Sequence, residues 1–212
     1  MSAVATIRLN RMELKLADTD DPVAQKTSWD PTKPGGANFK THELVATPGA
    51  LCVKHSAGGM AFAGAFAGFG ALFVLIGLSI LFLDGQFGGL LFAAVGSLFV
   101  FAGLFLLKRE APLTFDLRAG VYFRGKTHRS RGGPRDVQGP LASIHALQVL
   151  QERIRSSSSS GGAGSFTSHE LNLVFADGSR VNVLDHGHGD AVLDAAKQLG
   201  SALDVPIWQA SY

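Results

Sequence analysis

The chain has 212 residues, a formal charge of +2 and 46% hydrophobic residues. Its charge is balanced outside the apolar middle: Met1–Ser56 holds 7 basic and 6 acidic residues, and Ala111–Tyr212 holds 10 and 9. That balance excludes a nucleic-acid footprint, which is strongly basic throughout. Cys52 is alone, so no intrachain disulfide argues for an oxidising compartment.

Residues 1–42 read as a polar N-terminal segment. Within it Thr6–Leu16 alternates as a short hairpin does, and Arg8, Arg11, Glu13 and Lys15 interrupt it too often for a cleaved export signal. Asp18–Asn38, with Pro22, Pro31, Pro34 and Gly35-Gly36, reads as an extended linker. Residues 43–56 carry two strands, Glu43–Ala46 and Ala50–Lys54, around the turn Thr47-Pro48-Gly49.

Residues 57–107 are two apolar runs, Ala57–Leu83 and Phe87–Leu107, whose sole charge is Asp84 in the link Asp84-Gly85-Gln86. As helices, the 27 and 21 residues reach roughly 40 and 32 Å, against a hydrocarbon core of about 30 Å. Neither run has the polar face of a soluble core helix, so both read as membrane spans, regular over about 60–83 and 87–107. The short link makes them an antiparallel hairpin. Lys40 and Lys54 precede it, Lys108, Arg109, Arg118, Arg124 and Lys126 follow it, and the link has no base. The expectation is a multi-pass protein of a bacterial inner membrane with both termini cytoplasmic. Small residues mark the expected packing faces: Gly64-x-x-x-Gly68 with Ala57, Ala61 and Ala65 on the first helix, Gly89-x-x-x-Ala93 with Gly96 and Gly103 on the second. These faces serve contact within one hairpin or a homo-oligomer. No ionisable group lies inside either span, which disfavours a transporter.

Residues 111–212 read as strands Leu113–Leu117, Val121–Arg124, Ile144–Ile154, His169–Phe175 and Arg180–Leu184, then an amphipathic helix over 190–203. Asp177-Gly178 is the strongest hairpin turn, with Leu171, Leu173 and Phe175 on one side of its strand and Glu170, Asn172 and Val174 on the other. Lys126–Pro140 and Ser156–Gly164 read as loops. In the helix Asp190 is the expected N-cap, Val192, Ala196, Leu199 and Leu203 the buried stripe, and Pro206 the stop. Ile207 and Trp208 are expected to tuck onto the core.

Two strands before the spans, five after and a closing helix give an α+β membrane protein, a transmembrane helical hairpin plus an antiparallel β domain with a C-terminal helix. This element order over Glu43–Trp208, with Glu170–Gly178 and Val205-Pro206-Ile207-Trp208, resembles uncharacterised bacterial two-helix membrane proteins with a pleckstrin-homology-like cytoplasmic domain. The resemblance implies a fold and no activity.

Two clusters carry possible chemistry. Asp185, His186 and His188, in the turn ending at Asp190, are spaced for a divalent metal, with His145 and His169 able to fold nearby; the same residue types suit a strand-to-helix turn. Lys108, Arg109, Arg118, Arg124, Lys126, Arg129, Arg131 and Arg135 form a basic stretch that sets topology and can meet anionic headgroups. Nucleophile-elbow, phosphate-loop and dinucleotide signatures are missing. The leading expectation is therefore a non-enzymatic membrane-anchored binding or scaffold module without cofactor, its partners the bilayer, anionic headgroups and another protein. The alternatives are a structural homo-oligomer built on the glycine-rich helices and a membrane-bound metal-dependent hydrolase.

Overall fold

A computed structural model describes residues 6–9, 12–16, 20–108, 111, 113–125, 127–128, 137–157 and 163–211. In chain order the elements are β1 (Thr6–Leu9), β2 (Met12–Leu16), α1 (Pro22–Lys26), β3 (His42–Thr47), β4 (Ala50–His55), α2 (Ala57–Leu83) and α3 (Gly89–Lys108). There follow β5 (Leu113–Asp116), β6 (Val121–Arg124), β7 (Gln138–Pro140), β8 (Ile144–Ser157), β9 (Ala163–Phe175), β10 (Arg180–His186), α4 (Gly189–Leu203) and β11 (Ile207–Ser211). They form two compact units: Met1–Lys54 with Pro112–Tyr212, and His55–Ala111.

The His55–Ala111 unit is the helical hairpin, and both helices are long and apolar enough to cross a membrane. α2 begins at Ala57, three residues before the expected start, because Ser56 caps it: the Ser56 hydroxyl accepts from Gly59 N at 3.0 Å. The second helix starts at Gly89 rather than Phe87, so the link is longer than three residues. The seam is made by residues seven apart. Ala63, Gly70 and Gly77 on α2 meet Gly103, Gly96 and Gly89 on α3. A Cβ on Gly70 would lie 2.6 Å from Gly96 O, and one on Gly96 would lie 2.6 Å from Gly70 O. A period of seven returns to the same helix face, and only small residues there let backbones approach so closely. Gly89, Ala93 and Gly96 thus pack as expected. Gly64 and Gly68 do not: a Cβ at either meets nothing within 4 Å, and Ala57, Ala61 and Ala65 are exposed. Each helical residue turns the chain by about 100°, so the Gly64–Gly68 row faces away from the Ala63–Gly70 row. Phenylalanines flank the seam, Phe66 and Phe69 against Phe99 and Phe73 against Phe92.

In the other unit, β3-β4-β5-β6-β7 form one sheet and β1-β2-β11-β8-β9-β10 a second. All seven expected strands are present. β4 and β5 are direct antiparallel partners, Ala50 opposite Asp116 and Cys52 opposite Thr114, although α2 and α3 lie between them in sequence. The two sheets and α4 enclose a core that includes Leu51, Phe115, Leu147, Leu173, Val192 and Leu199. Turn chemistry sets the hairpins: Gly178 has φ +84° and the Asp177 carboxylate accepts from Ser179 N at 2.9 Å, closing β9 onto β10.

Several elements differ from expectation. Gln138–Pro140, expected in a loop, pairs with β6. Ser156 and Ser157 continue β8 opposite Gly164 and Ala163, while residues 158–162 lie outside the described residues. α4 starts at Gly189 with His188 at the N-cap position, leaving Asp190 in the first turn. Val192, Ala196 and Leu199 are buried as expected, joined by Ala195, while Leu203 is half-buried. Past the left-handed Asp204, Ile207–Gln209 form a strand parallel to β8, Ile207 opposite Leu147, and Trp208 is buried. The largest departure is the expected linker, which is packed onto the β8–β9–β10 sheet.

Candidate functional site: a polar sheet face under a strap

Strand pleating explains the site. Leu147 and Val149 of β8 and Leu171 and Leu173 of β9 point to the main core, so Gln148, Glu152, Glu170 and Asn172 point to the opposite face. A polar face is ordinarily left to water. Here Gln148 and Asn172 are 0% exposed and Glu170 4%, because residues 20–38 lie across them as a strap.

The strap is fixed first by α1. Asp21 caps it, one carboxylate oxygen accepting from Val23 N at 2.8 Å, while the other meets His145 Nε2 at 2.7 Å. Burial would raise the Asp21 carboxyl, but these hydrogen bonds and the His145 charge hold it below the usual aspartate value. Trp29 then enters a second apolar cluster with Val23, Ala24, Ala146, Leu150, Val174 and Trp208, and its indole donates to Ala24 O at 3.1 Å.

Beyond Trp29 the sheet reads the strap's main chain. Gln148 donates to Ser28 O at 3.0 Å, and Arg180 donates to Asp30 O at 2.8 Å and to Gln148 Oε1 at 3.0 Å. Thr32 N donates to both Glu170 oxygens at 3.0 Å, its hydroxyl to Asn172 Oδ1 at 3.0 Å, and Gly35 N to Glu152 at 3.1 Å. Buried polar groups need such partners, and each side of this interface supplies the other's.

The same pleat divides the expected metal cluster. In β10, Asp185 pairs with Glu170 on the strap side, whereas His186 pairs with His169 on the core side. Burial pushes the Asp185 carboxyl up to about 6, with Glu170 and Glu152 adding to the rise and the Ser168 hydrogen bond and Lys33 opposing it. His186 is fully buried, and its Nδ1 accepts from His188 N at 3.2 Å. Its Nε2 is buried without a hydrogen-bond partner. Desolvation first, then the neighbouring His188, Lys40, His42 and His169, bring His186 down to about 4. Burial also lowers His169, opposed by Asp190. Consecutive strand residues face opposite sides, so Asp185 and His186 cannot share one ion, and among the described residues no group of three or more His, Cys, Asp or Glu is arranged to hold a metal. His145 serves the strap instead.

Of the basic stretch, Arg118 is exposed and its side chain covers Gly49, where a Cβ would collide with it. Arg124 donates to Asn182 O at 2.7 Å and so ties β6 to β10. Lys108 ends α3, while Arg109, Lys126, Arg129, Arg131 and Arg135 lie outside the described residues. The sequence gives no sign of Asp21, Gln148 or Arg180 as site residues, and it offers His145 only as a neighbour of the metal cluster. The one available signal is the polar side of β9, Glu170 and Asn172, opposite Leu171, Leu173 and Phe175. Compared with known proteins, the chain matches no family model, no curated protein and no solved structure.

Proposed function

We propose that this is a two-span protein of a bacterial inner membrane whose helical hairpin anchors a pleckstrin-homology-like domain at the cytoplasmic face, where the domain acts as a non-enzymatic binding module for another protein. The observation that carries the reading is the β4–β5 pair: the apolar hairpin leaves one strand and returns as its antiparallel neighbour, so the anchor is an insertion into a β connection. Outward apolar side chains support the spans, Leu75, Leu98 and Phe101 being 63%, 66% and 67% exposed, which suits lipid rather than water. The order β3–β6, β8–β10 and α4 supports the pleckstrin-homology-like reading. The basic residues beside the spans support cytoplasmic termini.

The test uses a Cys52→Ser protein carrying either Gly85→Cys in the link or Ser201→Cys on α4. An impermeant maleimide applied to intact cells labels position 85 alone, and position 201 reacts only after lysis. Labelling of both positions from outside, or release of the protein by an alkaline wash, overturns the proposal.

A second reading is a homo-oligomer packed through Gly64 and Gly68, favoured by the open space over both glycines. Its test is mass in detergent, a monomer counting against it.

A further inference from the structure

We propose that residues 32–36 are a pH-gated cover over the β8–β9–β10 face, closed when the Asp185 carboxyl is protonated and loosened when it ionises. This inference concerns the β-rich unit alone and does not depend on the membrane reading.

The cover is held by acids. Thr32 N and Lys33 N donate to Glu170, and Gly35 N donates to Glu152. Gly36 lies so close over Asp185 Oδ1 and Ser168 Oγ that a Cβ there would collide with both. Glu152 on β8, Glu170 on β9 and Asp185 on β10 therefore come from three successive strands and face one short segment.

The charged and titratable groups facing Asp185 are Glu170, Glu152 and Lys33, and the Ser168 hydroxyl donates to its Oδ1 at 2.9 Å. His186, the next residue, turns to the other face. Glu170 and Glu152 act as acceptors for main-chain N–H groups of the cover. Ionised Asp185 adds a third negative charge beneath the cover, poorly hydrated and beside two like charges; protonated Asp185 adds none. Release of residues 32–36 hydrates all three.

The direction of the pH effect follows. The closed cover carries Asp185 at about 6, above its ordinary value of 3.8. A group raised in the closed form favours closure below 3.8, and this preference is lost as pH rises through about 6. The closing constant then falls ten-fold for each pH unit of the rise that the cover itself causes, about 100-fold at most. Loosening uncovers Ser168, Glu170 and Asn172, a row of side chains otherwise closed to solvent.

The test is amide hydrogen exchange of the full-length protein in detergent micelles between pH 4.5 and 7.5, expressed as protection factors so that the intrinsic pH dependence of exchange is removed. Protection at Thr32, Lys33 and Gly35 is expected to fall on the order of ten-fold or more across the range, while Leu171 and Leu173 in β9 keep theirs. In Asp185→Asn, a nearly isosteric change that cannot ionise, protection at the three amides stays level. Unchanged protection in the wild-type chain, or the same fall in Asp185→Asn, overturns the proposal. The wild-type measurement decides the first point even where the variant folds poorly.

Discussion

Trp29 and Trp208 lie with ring centroids 6.2 Å apart, tilted by 38°, although one belongs to the proline-rich N-terminal segment and the other to the last strand. His145 adds a third ring, 5.9 Å from Trp208. The contact closes a small apolar cluster on the sheet face away from the main core, and the strap's polar contacts extend from it.

Trp29→Ala is therefore expected to cost about 3–5 kcal/mol, the usual range for removing a buried aromatic side chain. The chain has two tryptophans, so the remaining Trp208 reports the change directly, its emission shifting to the red as the strap lifts. A denaturation midpoint and emission equal to those expected for an intact strap would show that Trp29 anchors nothing.

Opposing pH dependences are expected from adjacent residues of β10. His186 sits near 4 in the folded chain against an ordinary 6.5, so it favours folding above 6.5 and loses that effect as pH falls toward 4. Asp185, raised to about 6, favours folding below 3.8 and loses that effect as pH rises through 6. Each is bounded by about 3 kcal/mol, and they offset one another between pH 4 and 6. Relative to the wild type, unfolding midpoints should climb more steeply with pH in Asp185→Asn and less steeply in His186→Asn, on top of the shared rise from the lowered His169 and Asp21. Parallel profiles in all three proteins would exclude the account.

Valine at Gly70 or Gly96 is expected to force the helices apart and lower the stability of the hairpin by about 1–3 kcal/mol, as overpacking does. Valine at Gly64 or Gly68 meets open space and leaves the hairpin itself unchanged. Thermal melts in detergent compare the pairs, and equal losses at all four positions would contradict the heptad seam. A loss of mass confined to the Gly64 and Gly68 variants would instead identify those glycines as an oligomer contact.

Replacing residues 55–111 by a glycine-rich loop of about five residues should leave a water-soluble, folded β-rich protein, because β4 and β5 are already hairpin partners in register. Solubility with native tryptophan emission checks it. Aggregation of the shortened chain, with tryptophans exposed, would mean that the hairpin is needed to build the domain.

How far the fold was legible depended on the range of the forces involved. The apolar lengths of Ala57–Leu83 and Phe87–Leu107 sufficed for the hairpin, and the period-two pattern of β9 sufficed for its two faces, since both reflect local geometry. The helix seam was legible in principle: Ala63, Gly70, Gly77 and Gly89, Gly96, Gly103 repeat at seven, but the shorter Gly64-x-x-x-Gly68 spacing is the more conspicuous pattern. Asp185 and His186 are adjacent in sequence, but the pleat sends them to opposite faces of the sheet, which proximity along the chain does not reveal.

Local patterning thus determined the two helices, the seven strands of the expected domain and the α4 stripe, because backbone geometry imposes those periods wherever the chain goes. Tertiary structure alone decided the partner of each polar group. Pro22, Pro31, Pro34 and the paired glycines describe a segment without regular hydrogen bonding, and nothing local distinguishes one left in water from one bound to a sheet. That distinction came from Gln148, Glu170, Asn172 and Arg180, more than a hundred residues downstream, whose buried polar atoms are satisfied by the strap's main chain.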